Sequence, residues 1–172
     1  QRILGFRRYG TQEHPFNKFE YLTDEKRPVV FITHMEHHSN QTSWEETIAD
    51  VVVLQPDKNM LVDEKELIKK LEEYKEREIK IGSFTACSNV TGVRTNHHRL
   101  AQIMHSHNGL CFIDFAANAP YDRIDMHPEN ESERLDAVLF SPHKFLGGPG
   151  SCGVLIFKSD LYQLEVPDQP GG

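Results

Sequence analysis

Short apolar runs rich in β-branched and aromatic residues recur along the chain: Val29 to Thr33, Val51 to Leu54, Ile79 to Phe84, Leu110 to Phe115, Ala137 to Phe140 and Val154 to Phe157. They hardly alternate between apolar and polar positions, which predicts strands buried on both faces. Between them lie segments of helical period. Asp63 to Arg77, DEKELIKKLEEYKER, places Leu67, Ile68, Leu71 and Tyr74 on one face, with Asp63 available as N-cap. Asn96 to His107 places Leu100, Ile103 and Met104 on one side, and Asn108-Gly109 supplies a stop signal. Asp122 to Arg134 is polar and predicts a surface loop, and Gly10-Thr11 reads as a turn. There is no internal repeat. Strands separated by helices predict an α/β fold, a three-layer α/β/α sandwich around a mostly parallel sheet.

In such sheets ligands bind outside the carboxyl ends of the strands, so the polar residues that follow each apolar run are the first candidates for chemistry. That rule selects His37, Ser88-Asn89, Asp114 and Ser141 to Lys144. A lysine at a strand end, partly desolvated, has a lowered pKa and becomes nucleophilic toward an aldehyde, although a solvated strand-end lysine is the commoner case. Asp114 can hold a pyridine nitrogen protonated, or simply cap a turn. The small Ala116 and Ala117 beside it admit a flat group. His37 can lie over an aromatic ring or move protons, and the His34, His37, His38 group could instead bind a metal. The SNVTG run offers side-chain hydrogen bonds or is a plain loop.

These elements, in this order, resemble the class V aminotransferase family of fold-type I pyridoxal-phosphate enzymes, which includes cysteine desulfurases and selenocysteine lyases. The resemblance spans about Val29 to Phe157. It rests most on Glu36-His37-His38-Ser39-Asn40 with Trp44, on Ser88-Asn89-Val90-Thr91-Gly92, on Asp114, and on Ser141-Pro142-His143-Lys144 followed by Gly148-Pro149. It implies pyridoxal 5'-phosphate as cofactor, Lys144 as the Schiff-base lysine and Asp114 as partner of the pyridinium nitrogen. It further implies His37 stacked on the ring, Asn89 near the phenolic oxygen or the substrate carboxylate, and Ser141 and His143 as phosphate ligands. The substrate class it implies is an amino acid, in desulfurase, lyase or transaminase chemistry, and the complete enzyme is expected to be a homodimer.

The sequence departs from the family pattern at Ala117, where many members have a glutamine that donates to the phenolic oxygen. Asn118, Asn89 or water then supplies that bond. The family's phosphate loop precedes the helix that QRILGF resembles the end of, and its small C-terminal domain, with the substrate-carboxylate arginine and the desulfurase cysteine, follows the large one. Residues 1–172 are therefore expected to be part of the cofactor-binding large domain, inactive in isolation. None of Cys87, Cys111 and Cys152 stands where a desulfurase nucleophile would, and all three read as buried free thiols.

Composition narrows the alternatives. Hydrophobic residues at 38% and charged residues at 26% fit a globular protein. No apolar stretch approaches the length a bilayer needs and the N-terminal residues lack a signal-peptide core, so a cytoplasmic location with no membrane partner is expected. A net charge of −7, without a basic cluster, argues against nucleic acid as a partner. A metal hydrolase built from the 10 histidines is a rival, but His34 and His38 lack the HExxH arrangement. A second rival is a non-catalytic domain that keeps the fold as a binding module. Gly147 to Ser151 lacks the order of a nucleotide-binding phosphate loop.

Overall fold

The computed structural model describes residues 1–6, 23–163 and 165. The Gly10-Thr11 turn lies outside them. Six strands form one sheet: β1 (Val29–Ile32), β2 (Asp50–Val53), β3 (Lys80–Thr85), β4 (Leu110–Asp114), β5 (Ala137–Phe140) and β6 (Val154–Phe157), in the order β2-β1-β3-β4-β5-β6. β1 to β5 run parallel and β6 returns antiparallel on β5. Each of the six apolar runs is thus a strand, with ends displaced by a residue where cross-strand pairing decides. Asp50, for example, joins β2 because it lies opposite Val29.

Burial on both faces explains the unbroken apolar runs. Val29 and Phe31 pack into one core and their neighbours Val30 and Ile32 into the other. The first core is covered by α2 (Glu64–Glu73) and α3 (His97–Ser106), which bury Leu67, Leu71, Leu100, Ile103 and Met104. Burying each such side chain stabilises the fold by roughly 1.5–3 kcal/mol. The second core is covered by Trp44 of α1 (His38–Glu45) and by Phe6 from the Gln1–Phe6 turn. The fold is α/β with helices on both sides of a mostly parallel sheet. Among the described residues no helix is long and apolar enough to cross a membrane.

Asp63 caps α2 by accepting from the Lys65 N–H at 2.9 Å. The helix stops at Glu73, short of Arg77, because Arg77 turns back to the sheet and donates to Asp50 Oδ2 at 2.6 Å and to the Arg27 carbonyl at 2.9 Å. Ile68, expected on the buried face, is 38% exposed. α3 ends as its stop signal predicts: Asn108 takes the left-handed conformation, φ 57°, and the Gly109 N–H donates to the Met104 carbonyl at 2.8 Å. Gln1–Phe6 closes with the same bond pattern. Phe6 N–H reaches the Gln1 carbonyl at 3.0 Å and Gly5 N–H the Arg2 carbonyl at 2.9 Å, the Schellman arrangement with which helices end. The residues themselves form a turn.

Helix α1 gives no periodic signal, since HSNQTSWE holds one apolar residue, Trp44. Polar contacts hold it instead. His37 caps it by accepting from the Ser39 N–H, and Trp44 Nε1 donates to Ser83 Oγ in β3 at 2.9 Å. The Asp122 to Arg134 connection is a loop with one 3-10 turn, Glu131–Glu133, pinned where His105 Nδ1 lies 2.8 Å from the Ser132 carbonyl.

Candidate active site

The strand order reverses direction between β1 and β3, the kind of switch point at which an open parallel sheet leaves a crevice at its carboxyl edge. A cavity of about 320 Å³ opens there. The six residues to which the resemblance gives a cofactor role line it: His37 after β1, Asn89 after β3, Asp114 at the end of β4, and Ser141, His143 and Lys144 after β5. Ser88, selected with Asn89, does not; its Oγ accepts from the Val90 and Thr91 N–H groups, both at 3.3 Å. Ala116 and Ala117 form part of its wall, as do Ser39, Thr85 and Cys87.

Local structure places His37, Asp114 and the turn that carries Lys144. His37 Nδ1 accepts from the Ser39 N–H at 3.2 Å and lies 2.8 Å from Ser39 Oγ, so in the neutral ring the proton resides on Nε2. Asp114 Oδ1 accepts from the Ala116 N–H at 2.8 Å. Its other oxygen makes no hydrogen bond among the described residues, so one carboxylate both caps the turn and lines the cavity.

Lys144 ends a 3-10 turn, Pro142–Lys144, that follows β5 directly, with Pro142 at its first position. Its side chain is exposed rather than partly desolvated. The turn folds back on itself: Phe145 N–H donates to the Pro142 carbonyl and Gly148 N–H to the Phe145 carbonyl, both at 2.9 Å. Gly148 passes so close to Pro142 that a Cβ there would lie 1.9 Å from the Pro142 carbonyl oxygen.

Asn118 does not face the cavity. It is buried, and its Nδ2 donates to Asp122 Oδ2. Of the two side chains offered as substitutes for the missing glutamine, Asn89 alone lines the site. Cys87 is buried, as expected, yet contributes to the cavity wall, and its thiol lies 3.7 Å from the Ser88 carbonyl. Cys111 is buried, and burial pushes its thiol pKa up, with Asp136 adding to the effect. Cys152 is exposed, against expectation, because it follows the Gly147–Ser151 turn before β6.

Among the described residues the histidines disperse apart from the neighbouring His97 and His98. His34 Nε2 lies 3.0 Å from the Met60 carbonyl, His97 packs on Phe115, and His105 pairs with Asp136 at 2.9 Å. Among the described residues no three histidine, cysteine, aspartate or glutamate side chains gather as a metal site.

Glu36 is the residue whose part the sequence reading missed. It stands in the His37 motif but not in the cavity wall, and its half-buried carboxylate accepts bonds from the ends of β1 and β3 and from α1. Burial lifts its pKa above the ordinary glutamate range, against the opposing pull of those hydrogen bonds.

Comparison with known proteins decides the lineage. The family model described as aminotransferase class-V matches residues 17–172. The chain belongs to the class V aminotransferases. A probable cysteine desulfurase of Haemophilus influenzae is 34% identical over 142 residues, covering 79% of this chain and 30% of the relative. The cysteine desulfurase of Klebsiella pneumoniae is 30% identical over 149 residues, 83% of this chain and 34% of its own length. This class V chain thus spans about a third of the relatives it matches. The crystal structure of the cysteine desulfurase CsdA of Escherichia coli superposes with a TM-score of 0.63 at 28% identity, covering 84% of this chain and 34% of that one. A NifS-like protein of Rickettsia africae shares the fold with a TM-score of 0.70 at 22% identity, over 87% and 39% of the two chains.

Proposed function

We propose that this chain is part of the cofactor-binding large domain of a pyridoxal-phosphate-dependent enzyme that acts on an amino acid. The observation that carries the reading is the convergence of Lys144, Asp114 and His37 on one cavity at the carboxyl edge of the sheet. The donor set fits this cofactor. It combines an exposed primary amine, a carboxylate with one oxygen left for a partner, a flat ring, and hydroxyl, amide and imidazole groups in a volume at the small end of the range for ligand sites.

Bound pyridoxal phosphate supplies an electron sink for carbanion chemistry at the amino-acid α-carbon. The chain's own residues do the rest. Lys144 Nζ is the amine for covalent attachment to the aldehyde. The Asp114 carboxylate, oriented by the Ala116 N–H, holds the proton of the pyridine nitrogen. His37, fixed at the start of α1, offers its ring face, while Asn89 serves a donor role near the phenolic oxygen or substrate carboxylate. Ser141 and His143 take phosphate oxygens. The desulfurase names of the relatives make cysteine the first substrate to test, and the complete enzyme is read as a homodimer.

The test is to saturate the protein with pyridoxal phosphate, reduce with borohydride and map the modified peptide. The adduct is expected on Lys144. An adduct on Lys158 instead, or on Lys80, whose amine donates at 2.7 Å to the Arg77 carbonyl, overturns the assignment.

A further inference from the structure

Four donors converge on Glu36. Oε1 accepts from the Thr33 hydroxyl at 2.7 Å, the Thr33 N–H at 3.2 Å and the Thr85 N–H at 2.8 Å. Oε2 accepts from Asn40 Nδ2 at 2.9 Å. A carboxylate, which accepts at both oxygens, suits all four. Among the described residues no basic side chain forms an ion pair with it, and there the hydrogen bonds offset the cost of desolvating a half-buried carboxylate.

The consequences run onward in one direction. Because Asn40 must present its amino group to Glu36, its carbonyl oxygen faces Ser83 Oγ at 2.9 Å and Trp44 Nε1 at 3.2 Å, both of which donate to it. The same amino group also donates to the Ser83 carbonyl at 3.2 Å. Glu36 thereby ties the first turn of α1 to the ends of β1 and β3. Its chain neighbour His37 and its partner Thr85 both line the strand-end cavity, and so does Ser39, which holds the His37 ring.

We propose that Glu36 is a positioning residue: its carboxylate clamps α1 to the ends of β1 and β3 and so fixes where the His37 ring meets the cofactor. The inference rests on the cofactor assignment proposed above. Glu36→Gln keeps size and shape but sets an amino group against Asn40 Nδ2, or flips Asn40 so that its amino group meets the Trp44 N–H. Either way one link opens. Asn40→Ala cuts the clamp from the other side and serves as the second variant if the first folds poorly.

The experiment measures three quantities on the protein and both variants. These are the urea midpoint, amide exchange at Thr33, Thr85, Asn40 and Gln41, and the affinity and visible circular dichroism of bound pyridoxal phosphate. Expected are exchange at those amides faster by about ten-fold or more, cofactor affinity about ten-fold weaker with reduced ellipticity, and unchanged exchange in α2 and α3. About ten-fold is the scale of one lost hydrogen bond to a charged group. Wild-type exchange in both variants overturns the clamp. Faster exchange with wild-type affinity and ellipticity overturns the positioning role, since the clamp then serves α1 alone. If the site signals change only in step with a lowered urea midpoint, the role is general stability and the proposal fails. A wild-type protein that binds no pyridoxal phosphate defeats the cofactor assignment and the positioning role with it, while the exchange measurements still decide whether the clamp exists.

Discussion

Replacing Gly148 by alanine tests how the turn that carries Lys144 is held. An alanine Cβ at this position would lie 1.9 Å from the Pro142 carbonyl oxygen, 2.9 Å from its carbon and 3.0 Å from the Phe145 carbonyl oxygen, where ordinary contact begins at 3.4 Å. All three obstacles are backbone, so no side-chain rotation relieves the overlap. Relief requires that Pro142 and Gly148 separate by more than an ångström, and Pro142 opens the same 3-10 turn that Lys144 ends. Misplacing a reacting group by about 1 Å costs about 100-fold in rate.

Gly147 is the control. Its φ of 79° disfavours alanine, but nothing lies within 4 Å of a Cβ there. Gly147→Ala should cost about 1–2 kcal/mol of local strain without displacing Pro142. The assay is the rate at which pyridoxal phosphate becomes borohydride-trappable on Lys144, with exchange of the Phe145 amide, bonded to Pro142, as a cofactor-independent readout. Gly148→Ala should slow trapping about 100-fold and speed Phe145 exchange, whereas Gly147→Ala should leave trapping within a few-fold of wild type. Equal trapping rates for Gly148→Ala and wild type would refute the reasoning, because the turn would then absorb the overlap without moving the lysine.

Two further outcomes follow from the same structure. In the complete enzyme Asp114→Asn should retain the bond from the Ala116 N–H and bind the cofactor, yet lower turnover about 100-fold with little change in KM, because a neutral amide no longer stabilises the pyridinium charge; wild-type turnover would exclude that role. Burial, with the neighbouring His98 adding to it, lowers the His97 pKa to about 4. The unfolded chain protonates this imidazole near 6.5, so the contribution is fully present above about pH 6.5 and is lost as pH falls toward about 4, by at most about 3 kcal/mol and less to the extent that water reaches the ring. Urea midpoints between pH 7 and 4 should therefore fall more steeply for wild type than for His97→Phe, and parallel curves would show that His97 carries no such penalty.

The strands were legible because a parallel sheet covered on both faces demands unbroken apolar runs, and the strand-end cavity was legible because the polar residues that follow such runs gather at the carboxyl edge of the sheet. Helix α1 was not, since its stability comes from the His37 cap and the Trp44–Ser83 bond rather than from an apolar stripe. Glu36 stands in the His37 motif, yet its part is hidden from the sequence. Its decisive partner, the Thr85 N–H, lies 49 positions away and is a backbone group that no side-chain pattern announces. Lys144 and Cys152 were misjudged for exposure for a related reason: both sit in turns around β5 and β6, where the apolar count of the flanking residues says nothing about which way the chain bends.

The alternation that separates the two cores also explains why Asp114 differs from an ordinary strand-end carboxylate. Along β4, Cys111 and Ile113 face the α2 and α3 side, and Phe112 faces the other. Asp114, next in that alternation, therefore stands on the Phe112 side at the last position of the strand. There it borders two cavities at once, the polar one at the strand ends and an apolar one of about 320 Å³ lined by Trp44, Phe112, Leu139 and Phe157. Ser39 is the other residue the two share. A single residue at the end of one strand thus combines an orientation fixed by the Ala116 N–H with a position where the strand-end cavity meets the one on the sheet face. Fixed orientation is a property a group needs if it is to hold a positive charge on a ring that binds in front of it.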